Sequence, residues 1–223
     1  MSLDSNKKYP RTFHVPFSEG ATNDDKKLIN LKSFLNQEII FTEKLDGSNA
    51  AITRNEVFAR SHGQLATHPS FDWLKSRARE IQHLLDPDET IFGEYCYAVH
   101  SIPYHELPDY FFTFGIRMND QWLSQEQLEQ RANQLGLLVV PKLGEGIFST
   151  EKDLKKEIIY HAHKQSCFGG HREGLVIRKK ESFRSDQFND SIAKWVRKDH
   201  VQSSEHWMHQ EIVRQKLKLK PSK

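Results

Sequence analysis

Residues 42 to 52 read "TEKLDGSNAAI", and the fold turns on how this stretch is read. It continues a run of strand formers (Ile39, Ile40, Phe41), and Asp-Gly is among the strongest local signals for a tight turn between two strands. The pattern predicts a strand ending near Lys44, a turn at Asp46-Gly47 and a second strand from Ser48. A lysine at the point where strand meets turn, with an acid two residues on, is the less ordinary feature. A surface charge on a hairpin and a nucleophile over a pocket both fit these residues.

Outward from this stretch, residues 38 to 60 read as three short strands, the second turn falling at Arg54-Asn55. Before them, residues 1 to 23 form an irregular lead-in with Pro10, Pro16 and Gly20. A helix is expected from Asp24, capped by Thr22 or Asn23, with Leu28, Leu31 and Leu35 inward. After them, Ser70 is placed to cap a helix to about Leu85, which Asp86-Pro87 ends. Strands are expected near Thr90–Val99 and Tyr110–Met118, separated by the loop "HSIPYHELPD". Ser124 and Gly136 bracket a helix, "LLVVP" reads as a buried strand, and Thr150 to about Lys164 as another helix. Gly169-Gly170 leads into the strand "EGLVIRKK"; "IAKWVRK" is a further short strand, and a last helix is expected over 201–218. Strands outnumber helices and tight turns join several of them. The fold class is therefore α+β with largely antiparallel sheets rather than a doubly wound parallel sheet.

At 223 residues, 37% of them hydrophobic, the chain suits one domain with a real core. Its 32 basic and 30 acidic residues give a net charge of +2, which alone does not argue for nucleic acid. From Ile212 to Lys223, however, five basic residues (Arg214, Lys216, Lys218, Lys220, Lys223) stand without an acid, a tail that either touches phosphates or is simply solvated. Two cysteines, Cys96 and Cys167, make no disulfide framework, and the polar N-terminus has no apolar signal segment. A cytoplasmic location is expected. No apolar run is long enough for a membrane span.

Charges meet strand ends in four segments: "EKLDGSN" at 43–49, "FGEYCY" at 92–97, "EGLVIR" at 173–178 and "AKWVRK" at 193–198, with "FARSHG" at 58–63 adding Arg60. Each alone reads as a solvent-facing charge. In this order, Lys with Asp-Gly, Arg, Gly-Glu-Tyr, Glu-Gly-apolar and a final Lys, they resemble the covalent nucleotidyltransferases, which comprise polynucleotide ligases and capping enzymes. The nearest resemblance is to ATP-dependent RNA ligases of the phage ligase 2 type, and it runs from "PRTFHVPFS" to "KWVRKDHVQSSEHW".

That resemblance implies a nucleotidyltransferase (adenylation) fold, ATP-grasp-like, of mainly antiparallel sheets flanked by helices. It implies ATP and Mg²⁺ (or Mn²⁺) as cofactors and RNA ends, including nicked duplex, as partner; protein partners stay open. Lys44 matches the adenylylated lysine, with Glu43 beside it in the nucleotide pocket and Asp46 and Gly47 completing the motif. Asn49 matches a position used in sealing, Arg60 a ribose or phosphate contact, and Glu94 a ribose acceptor. Glu173 matches the carboxylate that holds a hydrated metal, and Lys194 the α-phosphate contact. Phe112 or Phe114 is the adenine-stacking aromatic. Two departures stand out. The last motif usually reads Lys-x-Lys, whereas Trp195 and Val196 follow Lys194, which shifts the second phosphate contact to Arg197 or Lys198; and Gly115 stands where the family often has an acid.

The chemistry accounts for the lysine. A free ammonium has a pKa of ~10.4, roughly three units above neutral, or about 4–5 kcal/mol against the free amine. A nucleophilic lysine needs nearby cations, desolvation or a metal to offset that. Other readings fit parts of the sequence. His161, His163, Cys167 and His171 have a superficial zinc pattern, but helical residues two apart diverge and no second ligand pair has finger-like spacing. His62, beside Arg60, reads as a polar turn residue. The motifs also serve DNA ligases and capping guanylyltransferases, which usually add an OB-type domain after the last motif. The 25 residues beyond Lys198 are too few for one, so a stand-alone module over 1–223 is expected. Outside the enzymes, a nucleic-acid-binding module that kept the fold and lost catalysis is the alternative.

Overall fold

The computed structural model describes residues 8–59, 65–198 and 212–218. Two sheets face each other. The first has the spatial order β1 (Phe13–His14), β12 (Ile192–Val196), β10 (Gly174–Lys179), β2 (Glu38–Lys44) and β9 (Lys142–Ile147). The second runs β11 (Phe183–Arg184), β7 (Gln121–Trp122), β6 (Phe111–Met118), β5 (Glu89–Tyr95), β3 (Ser48–Thr53) and β4 (Val57–Ala59), with β8 (Leu138–Val139) also against β6. Pairing is antiparallel throughout except β1–β12 and β6–β8.

Strand periodicity sorts the side chains into layers. Ile39, Phe41, Leu175, Ile177, Ala193 and Trp195 turn outward from the first sheet and are covered by Leu154 and Ile158 of α3 (Glu151–Ala162). Ala50, Ile52, Ile91 and Ile116 turn outward from the second sheet beneath Leu74 and Ala78 of α1 (Asp72–Ile81) and Leu128 and Ala132 of α2 (Gln125–Gln134). Between the sheets, Val176 and Ile192 meet Ala51, Phe92 and Trp122. Each fully buried Leu, Ile or Phe among these contributes about 1.5–3 kcal/mol. A short helix, α4 (Phe188–Ser191), delivers the chain to β12.

The Asp46-Gly47 turn is not a hairpin. β2 belongs to the first sheet and β3 to the second, so Leu45-Asp46-Gly47 carries the chain from one sheet to the other. Gly47 does not adopt the left-handed backbone of a type I′ turn; the positive-φ glycines among the described residues are Gly136, Gly169 and Gly170. Gly47 is required for another reason: a Cβ there would lie 2.7 Å from the Tyr95 carbonyl oxygen.

Three local expectations are corrected. No helix starts at Asp24. The Asp25 carboxylate accepts from the backbone and hydroxyl of Thr22, at 3.1 and 3.0 Å. His14 N donates to Lys26 O and Leu28 N to His14 O, which commits this backbone to β1. Leu31 is still buried, beside a single 3-10 turn at Lys32–Phe34. The helix at 72 is preceded by a 3-10 turn in which His68, not Ser70, supplies the capping acceptor. The segment 212–218 is extended rather than helical, Val99 N donating to Val213 O and Gln215 N to Tyr97 O; the rest of the expected last helix, 201–211, lies outside the described residues. Strand β9 escaped the sequence reading because "KLGEGI" combines two glycines with two charges, a poor strand composition.

Gly174 lies where β10 runs between β2 and β12, and an added methyl would collide with the Trp195 carbonyl. Gly174→Ala is therefore expected to destabilise the fold by about 1–3 kcal/mol, read as a lowered urea midpoint; an unchanged midpoint would contradict this packing.

Candidate active site

Four of the sequence motifs converge between the sheets. Lys44 ends β2, and the β2–β10 register sets it opposite Gly174, so Glu173 arrives beside it. Lys44 Nζ donates to Glu173 Oε1 at 2.5 Å, with Glu173 almost fully buried and a quarter of the Lys44 side chain exposed. Lys194 on β12 pairs with Val176, whose side chain packs between the sheets, so its ammonium shares the Lys44 face. From the opposite sheet, Glu94 on β5 accepts from Gly47 N at 3.2 Å, and Asn49 on β3 stands opposite Glu94. Burial works against the Lys44 charge, but Glu173 first, then Glu94 and Asp46, outweigh it and hold the ammonium above its ordinary 10.5.

Asp46 is a structural hub. Its Oδ2 accepts from Ser101 N, Ser101 Oγ and Ile102 N, each at 2.8 Å, while its own N donates to Tyr104 OH at 2.7 Å. The loop after β5, read from sequence only as a proline-marked connection, thus fixes the residue two beyond Lys44.

Glu43 turns to the other side of β2. It is buried; its Oε2 accepts from Cys167 N at 2.9 Å and lies 3.7 Å from the Arg172 guanidinium. Cys167 is exposed as a residue, but partial desolvation of its sulfur, with Glu43 beside it, pushes the thiol up to about 11, which makes it a poor nucleophile. Arg172 also donates to His161 O at 2.5 Å. His161 faces Glu157, at 3.1 Å, and His163 packs edge-on to Trp195. Among the described residues no group of three or more His, Cys, Asp or Glu is arranged to hold a metal.

The two aromatic candidates differ. Phe112 is fully buried against Phe168, ring centroids 5.0 Å apart. Phe114 is only half-buried, sits at the β5–β6 bulge opposite Phe92/Gly93, and touches Tyr9 edge-on at 4.8 Å. Arg197 is half-buried with its N donating to Glu173 O at 3.0 Å, and Lys198 is exposed. Arg60 and His62 lie outside the described residues.

The sequence reading passed over His14. It pairs with Lys194 in register, is buried, and contacts Ser18 Oγ at 2.8 Å and Asp25 Oδ2 at 3.5 Å. Burial, then Lys194, and further Lys44 and Lys27, lower its pKa to about 4 against the opposing pull of Asp25, so it is neutral at pH 7. Ser18 in turn accepts from Val196 N at 2.9 Å, which staples the lead-in to β12. A histidine and serine four apart in an otherwise apolar lead-in ("FHVPFS") were the available signal.

Solved structures share this fold. An archaeal ATP-dependent RNA ligase superimposes with a TM-score of 0.54 at 18% identity, covering 85% of this chain and 48% of that one. The Naegleria gruberi RNA ligase with pyrophosphate gives 0.56 at 21% identity, covering 88% and 60%; a mutant of that ligase is known with ATP and Mn. A provisionally assigned ATP-dependent DNA ligase from Aquifex aeolicus gives 0.56 at 22% identity, covering 85% and 49%. The chain thus spans about half to three-fifths of the length of these proteins. No curated protein matches it by sequence. The RNA ligase family model matches residues 37–196, which hold Lys44, Glu94, Glu173 and Lys194, and the chain belongs to the RNA ligase family.

Proposed function

We propose that the chain is an ATP-dependent RNA ligase module that joins 5′-phosphate and 3′-hydroxyl ends through an adenylylated Lys44. The Lys44–Glu173 contact between the sheets carries this reading, with Glu94, Asp46 and Lys194 around it. In the first step the Lys44 nitrogen bonds the α-phosphorus of ATP as the bond to the bridging oxygen breaks and pyrophosphate leaves. AMP next passes to a 5′-phosphate oxygen and the lysine departs reprotonated. The 3′-hydroxyl then attacks the 5′-phosphorus and AMP is released. A family match to RNA ligases supports RNA over DNA as substrate.

The resting lysine is an ammonium held by three carboxylates, so the first step demands a proton loss that the protein by itself opposes. The quarter-exposed side chain gives that proton a way out to water. Lys194, on the Lys44 face of the first sheet, contributes a cation to counter charge on the α-phosphate. Glu173 fits a divalent cation: it is a hard oxygen donor, and Mg²⁺ or Mn²⁺ commonly takes one or two protein carboxylates with water and phosphate completing the shell. Such an ion supplies positive charge beside both the lysine and the phosphate. Phe114 and Val176, both half-buried against the cluster between the sheets, are assigned to the adenine; Glu94 is assigned to the ribose, Asn49 to the sealing step, and Arg197 and Lys198 to the remaining phosphates. Glu43 acts from behind the strand, through Arg172 and Cys167 N. A module over 1–223 working in the cytoplasm completes the reading.

Incubation with α-labelled ATP and Mg²⁺ is expected to leave an acid-labile label on Lys44. Lys44→Arg abolishes it because a guanidinium stays protonated. Label from GTP alone would move the assignment to capping, and no label from either nucleotide would leave a binding module. On matched nicks, RNA is expected to seal faster than DNA.

Phe114→Leu is expected to raise the ATP KM about tenfold, in line with a stacking contribution of ~1–3 kcal/mol, with little change in Tm. Phe112→Leu lowers Tm instead. The reverse pattern would exchange the two roles.

The Lys44 pKa is raised by folding, so while its carboxylate partners are ionised the pairing stabilises the protein up to pH 10.5 and is lost as pH rises through the higher folded value. The unfolding free-energy gap between wild type and Glu173→Gln should stay level from about pH 7 to about pH 9 and close above roughly pH 10.5. A gap that persists through strong alkali would show the ion pair is not its source.

A further inference from the structure

The segment 212–218 does more than present basic residues. Its residues alternate: Arg214, Lys216 and Lys218 are exposed, Gln215 is fully buried and Leu217 is half-buried. Arg214 lies over the rings of Tyr97 and Tyr110, at 5.2 and 5.0 Å, and its Nε donates to Tyr110 OH at 2.7 Å. Lys218 N donates to Leu107 O, and its ammonium reaches Glu106 at 3.3 Å. The segment is therefore strapped across both ends of the loop that follows β5.

Gln215 enters that loop. Its Oε1 accepts from Tyr104 N at 2.9 Å, its Nε2 donates to Ile102 O at 2.7 Å, and its backbone oxygen accepts from Tyr110 OH at 3.0 Å. The same two loop residues hold Asp46 on their other side: Ile102 N donates to Asp46 Oδ2, and Tyr104 OH accepts from Asp46 N. One side-chain amide, with its donor and acceptor both used, thus fixes the two residues that fix the residue two beyond Lys44. A buried amide satisfied at both ends is costly to disturb and geometrically exacting.

We propose that Gln215 is a positioning residue for the lysine motif, acting through Ile102 and Tyr104 on Asp46, so that its side-chain amide, carried into the loop by segment 212–218, sets the rate of lysine adenylylation. This rests on the reading of Lys44 as the nucleophile. Misplacement of a reacting group by an ångström or so costs rate, up to about a hundredfold, whereas ATP contacts carried by Phe114, Glu94 and Lys194 do not pass through the strap.

The test uses the full chain. Gln215→Met keeps the size and removes both amide bonds. Its single-turnover rate of Lys44 labelling at saturating ATP should fall about tenfold or more, with the ATP KM within about twofold of wild type. Arg214→Ala, which removes the ring contacts and leaves the amide in place, should lower Tm without slowing that rate. Independently of activity, hydrogen exchange at the Ser101 and Ile102 amides should quicken in Gln215→Met and not in Arg214→Ala. If Gln215→Met does not fold, Gln215→Asn, whose shorter side chain cannot reach both partners, takes its place. A wild-type rate constant with only a reduced active fraction overturns the proposal, as do unchanged exchange at Ser101 and Ile102 and equal slowing by Arg214→Ala. A wild-type protein that takes no label sinks the ligase reading instead, and the exchange measurement still decides whether the strap holds the loop.

Discussion

The antiparallel pairing of β2 with β10 is the constraint on which the site depends. It sets Lys44 against Gly174 and Glu43 against Leu175, and because successive side chains alternate, two opposed ion pairs form on opposite faces of one strand pair. Lys44 meets Glu173 in front, between the sheets; Glu43 meets Arg172 behind, beneath α3. A slip of one residue would exchange the faces and bury Lys44 on the helix side. Gly174 permits this register, since no side chain fits between its backbone and the Trp195 carbonyl.

Buried ion pairs are weak contributors to stability, since desolvation consumes much of the attraction. Here the front pair makes better sense as poise. Three carboxylates stabilise the ammonium and so oppose the deprotonation that the proposed transfer of AMP to Lys44 requires. On the proposed reading, a lysine so held would stay inert until added positive charge altered the balance, and Glu173 is the residue that would hold a divalent ion able to do so. The neutral His14, set beside Lys194 on β1, adds no further cation.

Around this pair the chain is tied from three distant regions. The lead-in is stapled to β12 through Ser18, the loop after β5 clamps Asp46, and the segment 212–218 clamps that loop. Each tie is made of buried polar contacts at hydrogen-bonding distance rather than of apolar packing alone, which suits a site where a reacting atom must be held to within a fraction of an ångström.

The sequence by itself determined the α+β class, most strand positions, the α2 and α3 helices with their caps, and the motif residues. Those features follow from periodicity of two, from Ser124 as a cap, and from short ordered motifs, all of which are local; Thr150, read only as the start of a helix, also caps it. It also held, unread, the strand alternation of "RQKLK" over 214–218. Only the tertiary structure decided which strands pair. An Asp-Gly dipeptide signals that the chain turns and not which sheet it enters, so the apparent hairpin at 46–47 became the crossing between sheets. The Thr22–Asp25 cap signal lost to pairing with β1, and the glycines of β9 gave no strand signal though the edge of the first sheet needed a partner. Which half of the Glu43–Lys44 pair faces between the sheets, whether Phe112 or Phe114 stays partly exposed, and what Gln215 touches are questions of three-dimensional neighbours. Residues more than a hundred positions apart meet there, as Gln215 meets Ile102 and Tyr104, because backbone and amide groups buried between elements must find partners wherever the fold supplies them.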